Sequence, residues 1–167
     1  MIVELSDLEK LPVVTVTGDK LGAVDIPIFN GKEGNILGFQ MAKKGVVKKF
    51  AGIYFIDLID ITKTELVVEG PEDLKKNLRE FDEAYKTFGP IVGVSAITES
   101  GKRLGRVADL YIDISSGSIV RFYLKNLLRE QIVSYEHLVS ITPKKIVFKD
   151  IVGEPIALDQ SLQSAES

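Results

Sequence analysis

Residues 14–41 read VTVTGDKLGAVDIPIFNGKEGNILGFQM, and residues 97–124 read ITESGKRLGRVADLYIDISSGSIVRFYL. Laid over one another at a shift of 83, the distance from Gly18 to Gly101, they match Leu21 with Leu104, Gly22 with Gly105, Val24 with Val107, Gly34 with Gly117, Ile36 with Ile119 and Phe39 with Phe122. The shift then falls to 80, the distance from Ile61 to Ile141, as though the second copy had lost residues from the loop around 43–49. Ile61 and Thr62 now meet Ile141 and Thr142, and Leu66 and Val67 meet Ile146 and Val147. A self-similarity of this kind means one structural unit used twice.

Each copy reads as short strands. Val120, Phe122 and Leu124 alternate with Arg121 and Tyr123, and their counterparts are Leu37, Phe39 and Met41. An apolar residue at every second position predicts that these three share one buried face. Gly18 and Gly101 lie in the polar stretches TGDK and SGKR, and Gly34 and Gly117 in NGKEGN and SSGS, where glycine suits tight turns. Gly22 and Gly105, inside the Leu-Gly-x-Val elements, are expected at positions that a side chain cannot occupy. With a closing strand at 65–69 or 145–149, each copy holds about five or six strands, and closure into a barrel would remove the exposed edges of so short a sheet.

Between the copies stands GPEDLKKNLREFDEAYKTFGP, residues 70–90. Pro71 suits a first helical turn, Glu72 and Asp73 favour the positive end of a helix dipole, and Gly89-Pro90 is a stop signal. One helix of about 17 residues is expected, with Leu74, Leu78, Phe81, Tyr85 and Phe88 on a single stripe. The stripe either packs on a barrel or mediates dimerisation. The organisation that follows is a first barrel over 1–70, a helical linker over 71–89, a second barrel over 90–152 and a flexible tail over 153–167: all-β with a linking helix.

The motifs resemble the PRC-barrel family: a turn glycine, Leu-Gly-x-Val, a strand, a Gly-containing turn, a second strand and an Ile-Thr-x-x-x-Leu/Ile-Val ending. The resemblance covers roughly residues 11–70 and 90–150. Its best-known member is the cytoplasmic domain of the photosynthetic reaction centre H subunit, and a related barrel forms the C-terminal part of a ribosome maturation factor. It implies small β-barrels that hold proteins together or contact ribosomal components, with no shared catalytic residue.

Composition sets the bounds on function. Hydrophobic residues make up 45% of the chain against 27% charged, the balance of a globular protein. A net charge of −3 provides no overall field for nucleic acid or anionic membrane. The absence of Cys removes disulfides, thiolate nucleophiles and Cys-based metal sites. No stretch reaches the roughly 20 apolar residues of a membrane span and MIVELSDLEK has no signal-peptide pattern, so a soluble cytoplasmic protein is expected.

Candidate chemistry is sparse. His137 is the only histidine, aligned with Asp57, and is read as a structural or surface residue. Asp25 and Asp109, offset by one between the copies, are read as turn or backbone-capping groups rather than acids or bases. Ser95 in GVSAI has Ile97 where a nucleophile elbow needs its second glycine, and GKRLG at 101–105 lacks the phosphate-loop spacing. No catalytic, cofactor or metal site is expected. Lys43, Lys44, Lys48 and Lys49, flanking Gly45-Val46-Val47, form the strongest local positive patch: a solvated loop, or a contact for phosphates or an acidic surface.

The leading expectation is a non-enzymatic adaptor whose barrels meet a protein partner, with homodimerisation through the linker helix or barrel edges a further route. The rival is an RNA- or ribosome-associated factor using the lysine loop. An enzyme acting on small molecules ranks third, since no convergent polar set is visible.

Overall fold

In the computed structural model, described here for residues 1–42 and 51–150, the two copies fold into barrels of the same strand order. A leading strand β1 (Ile2–Glu4) precedes the first barrel, which comprises β2 (Pro12–Thr15), β3 (Lys20–Asn30), β4 (Asn35–Met41), β5 (Ala51–Tyr54), β6 (Leu58–Ile61) and β7 (Leu66–Val68). A two-residue strand β8 (Lys75–Lys76) and the helix α1 (Arg79–Phe88) follow. The second barrel comprises β9 (Ser95–Thr98), β10 (Arg103–Asp113), β11 (Ser118–Lys125), β12 (Glu130–Ser134), β13 (Leu138–Ile141) and β14 (Lys145–Phe148). In both, the first four strands pair antiparallel in order, the last strand returns parallel to the first, and the fifth pairs antiparallel with the last.

The irregularities repeat as faithfully as the strands. Bulges set aside Leu21, Asp25, Leu37 and Ile59 in the first barrel, and Leu104, Ala108, Val120 and Val139, their sequence counterparts, in the second. Each bulge sharpens the local twist, which is how sheets of such short strands curl around a core. The bulges also correct the expected alternation. Phe39 with Met41 and Phe122 with Leu124 are buried, but Leu37 and Val120 are only half-buried, because the bulge at each turns the inward position over to Ile36 and Ile119.

The linker also differs from expectation. Residues 71–73 form a single 3-10 turn, Lys75 and Lys76 pair with Gly52 and Ala51, and Asn77 takes φ +56°, so the helix begins only at Arg79 and runs ten residues. Left-handed backbone at Asn77 cannot continue a helix in either direction, and Gly89, φ +70°, stops it at the other end. Phe81 is buried, its ring edge-on to Tyr54 with centroids 5.1 Å apart. Gly38 and Gly52 present bare backbone to that ring, and Gly31 does the same for Phe88, so the helix lies flat on the first barrel.

Far from being joined by the linker alone, the barrels share a seam. Asn35 pairs with Ser118, its own counterpart, so the seam has local twofold symmetry: Ile36 N donates to Gly117 O (2.9 Å) and Ile119 N to Gly34 O (2.8 Å). Gly34 and Gly117 both have φ +75°, and each faces an aromatic ring of the opposite barrel, Tyr135 and Phe55 respectively. The leading segments cross over. Strand β1, from the start of the chain, extends the second barrel by pairing with Tyr111–Asp113 of β10, whereas α1, which precedes the second barrel, packs against β3 of the first. The buried apolar residues of the two barrels form one continuous cluster across this seam.

Candidate functional site

Among the described residues, the buried polar side chains are Thr15, Thr98 and Gln131, and the buried ionisable one is Tyr111 of β10, whose phenol is pushed up first by burial. Thr15 and Thr98 are counterparts with the same task, their Oγ1 atoms accepting from Asp19 N and Lys102 N at 3.1 Å to close the hairpins of Gly18 and Gly101. Gln131 Nε2 donates to Leu104 O at 3.4 Å. The other ionisable side chains among the described residues lie at or near the surface, where water screens charge and acid–base groups need neighbours to be tuned.

The residues singled out from sequence do not converge. His137 sits in a 3-10 turn, Nε2 3.6 Å from the carboxylate of adjacent Glu136. Asp25 is exposed on its bulge. Asp109 accepts from Ser6 N (3.2 Å), Ser6 Oγ (2.5 Å) and Leu110 N (2.8 Å), so it fastens the crossed-over leading segment to the second barrel. Ser95 stands half-exposed on β9, and no group of three or more metal-ligating side chains forms among the described residues. Lys43, Lys44, Lys48 and Lys49 lie outside the described residues. The glycines Gly18, Gly22, Gly34, Gly101, Gly105 and Gly117 all have positive φ.

Burial and neighbouring carboxylates shift titratable groups on β1 and β11. Glu4, on β1, has its carboxyl pushed above the ordinary range, first by burial and then by repulsion from Asp109 and Asp7. Tyr123 of β11 is pushed up to about 12, again first by burial and then by the nearby Glu130 carboxylate.

The sequence reading missed a groove on the outer face of the second barrel. Register places Lys145, Ser95, Arg106 and Lys125 side by side across β14, β9, β10 and β11, and residues directly opposed in a sheet share a face. Arg103, opposite Ile97, adds a fourth cation beside an apolar floor. At one wall the β11–β12 turn lifts Leu127 and Leu128 into solvent, 103% and 95% exposed. Asn126 Oδ1 stiffens that turn by accepting from Leu128 N (2.8 Å) and Arg129 N (2.9 Å). The open groove has a volume of about 640 Å³. A second cleft of about 560 Å³ runs along the seam beneath the exposed Ile56.

The PRC-barrel domain model matches residues 1–75 and again 87–154. The chain belongs to the PRC-barrel family. Its tandem match coincides with the strand order seen twice in the structure, and the bulges recur at the same places in both PRC barrels. Among curated proteins, translation initiation factor IF-2 of Mycoplasmoides gallisepticum (strain R(low / passage 15 / clone 2)) is 22% identical over 143 residues, which are 84% of this chain. The matched part spans only 22% of that factor's length. No helix among the described residues is long and apolar enough to cross a membrane.

Proposed function

We propose that this tandem PRC-barrel protein acts by binding rather than by catalysis, as an adaptor that presents two related barrels to protein partners at a fixed mutual angle. The observation that carries the reading is the reciprocal seam. Asn35–Ser118 pairing, the Ser6–Asp109 clamp and the exchange of β1 and α1 all tie one barrel to the other. Such fastening suits a scaffold, because two sites held rigidly together raise the effective concentration of a divided target. The dispersal of His137, Asp25, Asp109 and Ser95 fits the same reading. The exposed apolar residues Leu127, Leu128, Ile56, Ile59 and Val139 offer contact points on both barrels.

One observation favours a second reading: the likeness to an initiation factor, joined to the lysines at 43, 44, 48 and 49, fits a ribosome-associated role. Affinity capture from the source cell, with and without ribonuclease, followed by reconstitution from purified components, separates the two. A protein bound directly after ribonuclease supports the adaptor. Recovery of ribosomal proteins only while RNA is intact supports the second reading and sinks the first.

A further inference from the structure

The two barrels share a fold but not the surface over β9, β10, β11 and β14. The counterparts of Arg103, Arg106, Lys125 and Lys145 are Lys20, Ala23, Ala42 and Glu65. Where the second barrel carries four cations, the first carries one cation and one carboxylate. All four are exposed, and the first barrel closes with a cation at only one of the four positions. We infer that the groove over Ile97 on the second barrel is a docking site for an acidic peptide segment of a partner protein, one that places an apolar side chain between Ile97 and Leu127. The inference rests on the adaptor reading and names its partner's chemistry.

Charge and shape select this occupant. Arg106 is held in place by donating to Gly93 O (2.8 Å), which leaves its remaining N–H groups for a carboxylate. Lys125 already pairs with one, Glu130, at 3.7 Å. A floor of Ile97 and Gly105 calls for an apolar residue between the acids. A flat bilayer would rest on Leu127 and Leu128 without reaching that floor. Single-stranded nucleic acid needs aromatic surfaces for its bases, and none lines the groove. The two leucines, fully exposed on a stiffened turn, supply the apolar wall that a peptide side chain would cover.

The test uses the full chain, labelled with 15N, and a short synthetic peptide of Asp, Glu and Ser with one central Leu. Amide shifts are expected at Ala96, Ile97, Gly105, Arg106 and Leu127, with the first barrel silent. The double variant Arg103→Glu/Arg106→Glu should weaken binding at least about tenfold and flatten its salt dependence. Leu127→Ser, at a site with no packing to lose, should weaken it as well, and replacing the peptide's Leu by Ser should match that loss. The inference falls if the peptide leaves the groove amides unmoved at millimolar concentration or shifts the first barrel equally. It also falls if the variants bind it as well as the wild type, or if phosphatidylserine vesicles or a single-stranded oligonucleotide take the groove in preference. A directly bound partner that survives Arg103→Glu/Arg106→Glu sinks this site while leaving the adaptor reading intact.

Discussion

Replacing Gly105 and Gly22 in turn by alanine compares two equivalent bulge positions inside one molecule. At Gly105 φ is +106°, a conformation that costs a side-chain-bearing residue about 1–2 kcal/mol. A Cβ there would stand 2.5 Å from Lys125 O and 2.8 Å from Lys125 C, backbone atoms of β11 that move only by prying β10 from its neighbour. Such overpacking costs about 1–3 kcal/mol, for a total near 3 kcal/mol. At Gly22, φ +154°, the Cβ meets only the terminal methyl of Met41 at 3.1 Å, which a flexible side chain can withdraw, so about 1 kcal/mol is expected. At about 2–4 °C per kcal/mol for a chain of this size, Gly105→Ala should lower Tm by about 6–12 °C and Gly22→Ala by about 2–4 °C. Calorimetry on both variants decides the matter. Equal losses, or a larger loss at Gly22, would refute the claim that the carbonyl of Lys125 sets the difference.

Other expectations follow from the same contacts. Phe81→Ala should cost about 3–5 kcal/mol by emptying the space over Gly38 and Gly52, read as a fall in denaturant midpoint. Gly34→Ala should destabilise the seam by driving a methyl into the Tyr135 ring, and Tyr135→Ala should restore part of that loss in a double-mutant cycle. The folded-state pKa of Glu4 is raised, so the folded chain holds its proton to higher pH than the unfolded one. Stability should therefore decline as pH rises from the unfolded pKa through the folded one, and Glu4→Gln should remove that slope in urea titrations between pH 4 and 7, roughly the carboxylate range. Changing Lys43, Lys44, Lys48 and Lys49 together to Gln should leave partner binding intact if the adaptor reading holds. If RNA is the partner, it should flatten the salt slope by up to about four units, measured at two ionic strengths.

The repeat was legible because the residues that build it are chemically demanding: Gly18 and Gly101 close turns, and Phe39 and Phe122 fill cores, so drift between the copies is constrained. Leu37 and Val120 misled because a bulge leaves no composition signal, and strict alternation looks the same with or without one. The linker stripe was genuine in its centre, where Phe81 is buried. Its first member failed because Asn77 and the pairing of Lys75 and Lys76 with β5 outweigh helix propensity, which is a weak preference that tertiary context overrides. The seam was invisible, since backbone pairing between Asn35 and Ser118 depends on no particular side chain. The cationic groove had a signal that went unread: of its four cation positions, three differ in charge from their counterparts, Ala23, Ala42 and Glu65, although the copies match in register.

The exchange of leading segments has a consequence for the order of synthesis. Ser6 leaves the ribosome 103 residues before Asp109, the carboxylate that clamps it, and β1 must wait as long for Tyr111. The first barrel can close early, but the start of the chain stays unpaired until the second barrel is nearly made, while α1 can settle on the first barrel as soon as it appears. Closing so long a loop costs little more entropy than closing a shorter one, so the delay is kinetic. Once β10 is made and before its own β1 docks, its open edge can take the same strand from a neighbouring copy, so refolding at high protein concentration should raise the yield of reciprocally paired dimers on size-exclusion chromatography.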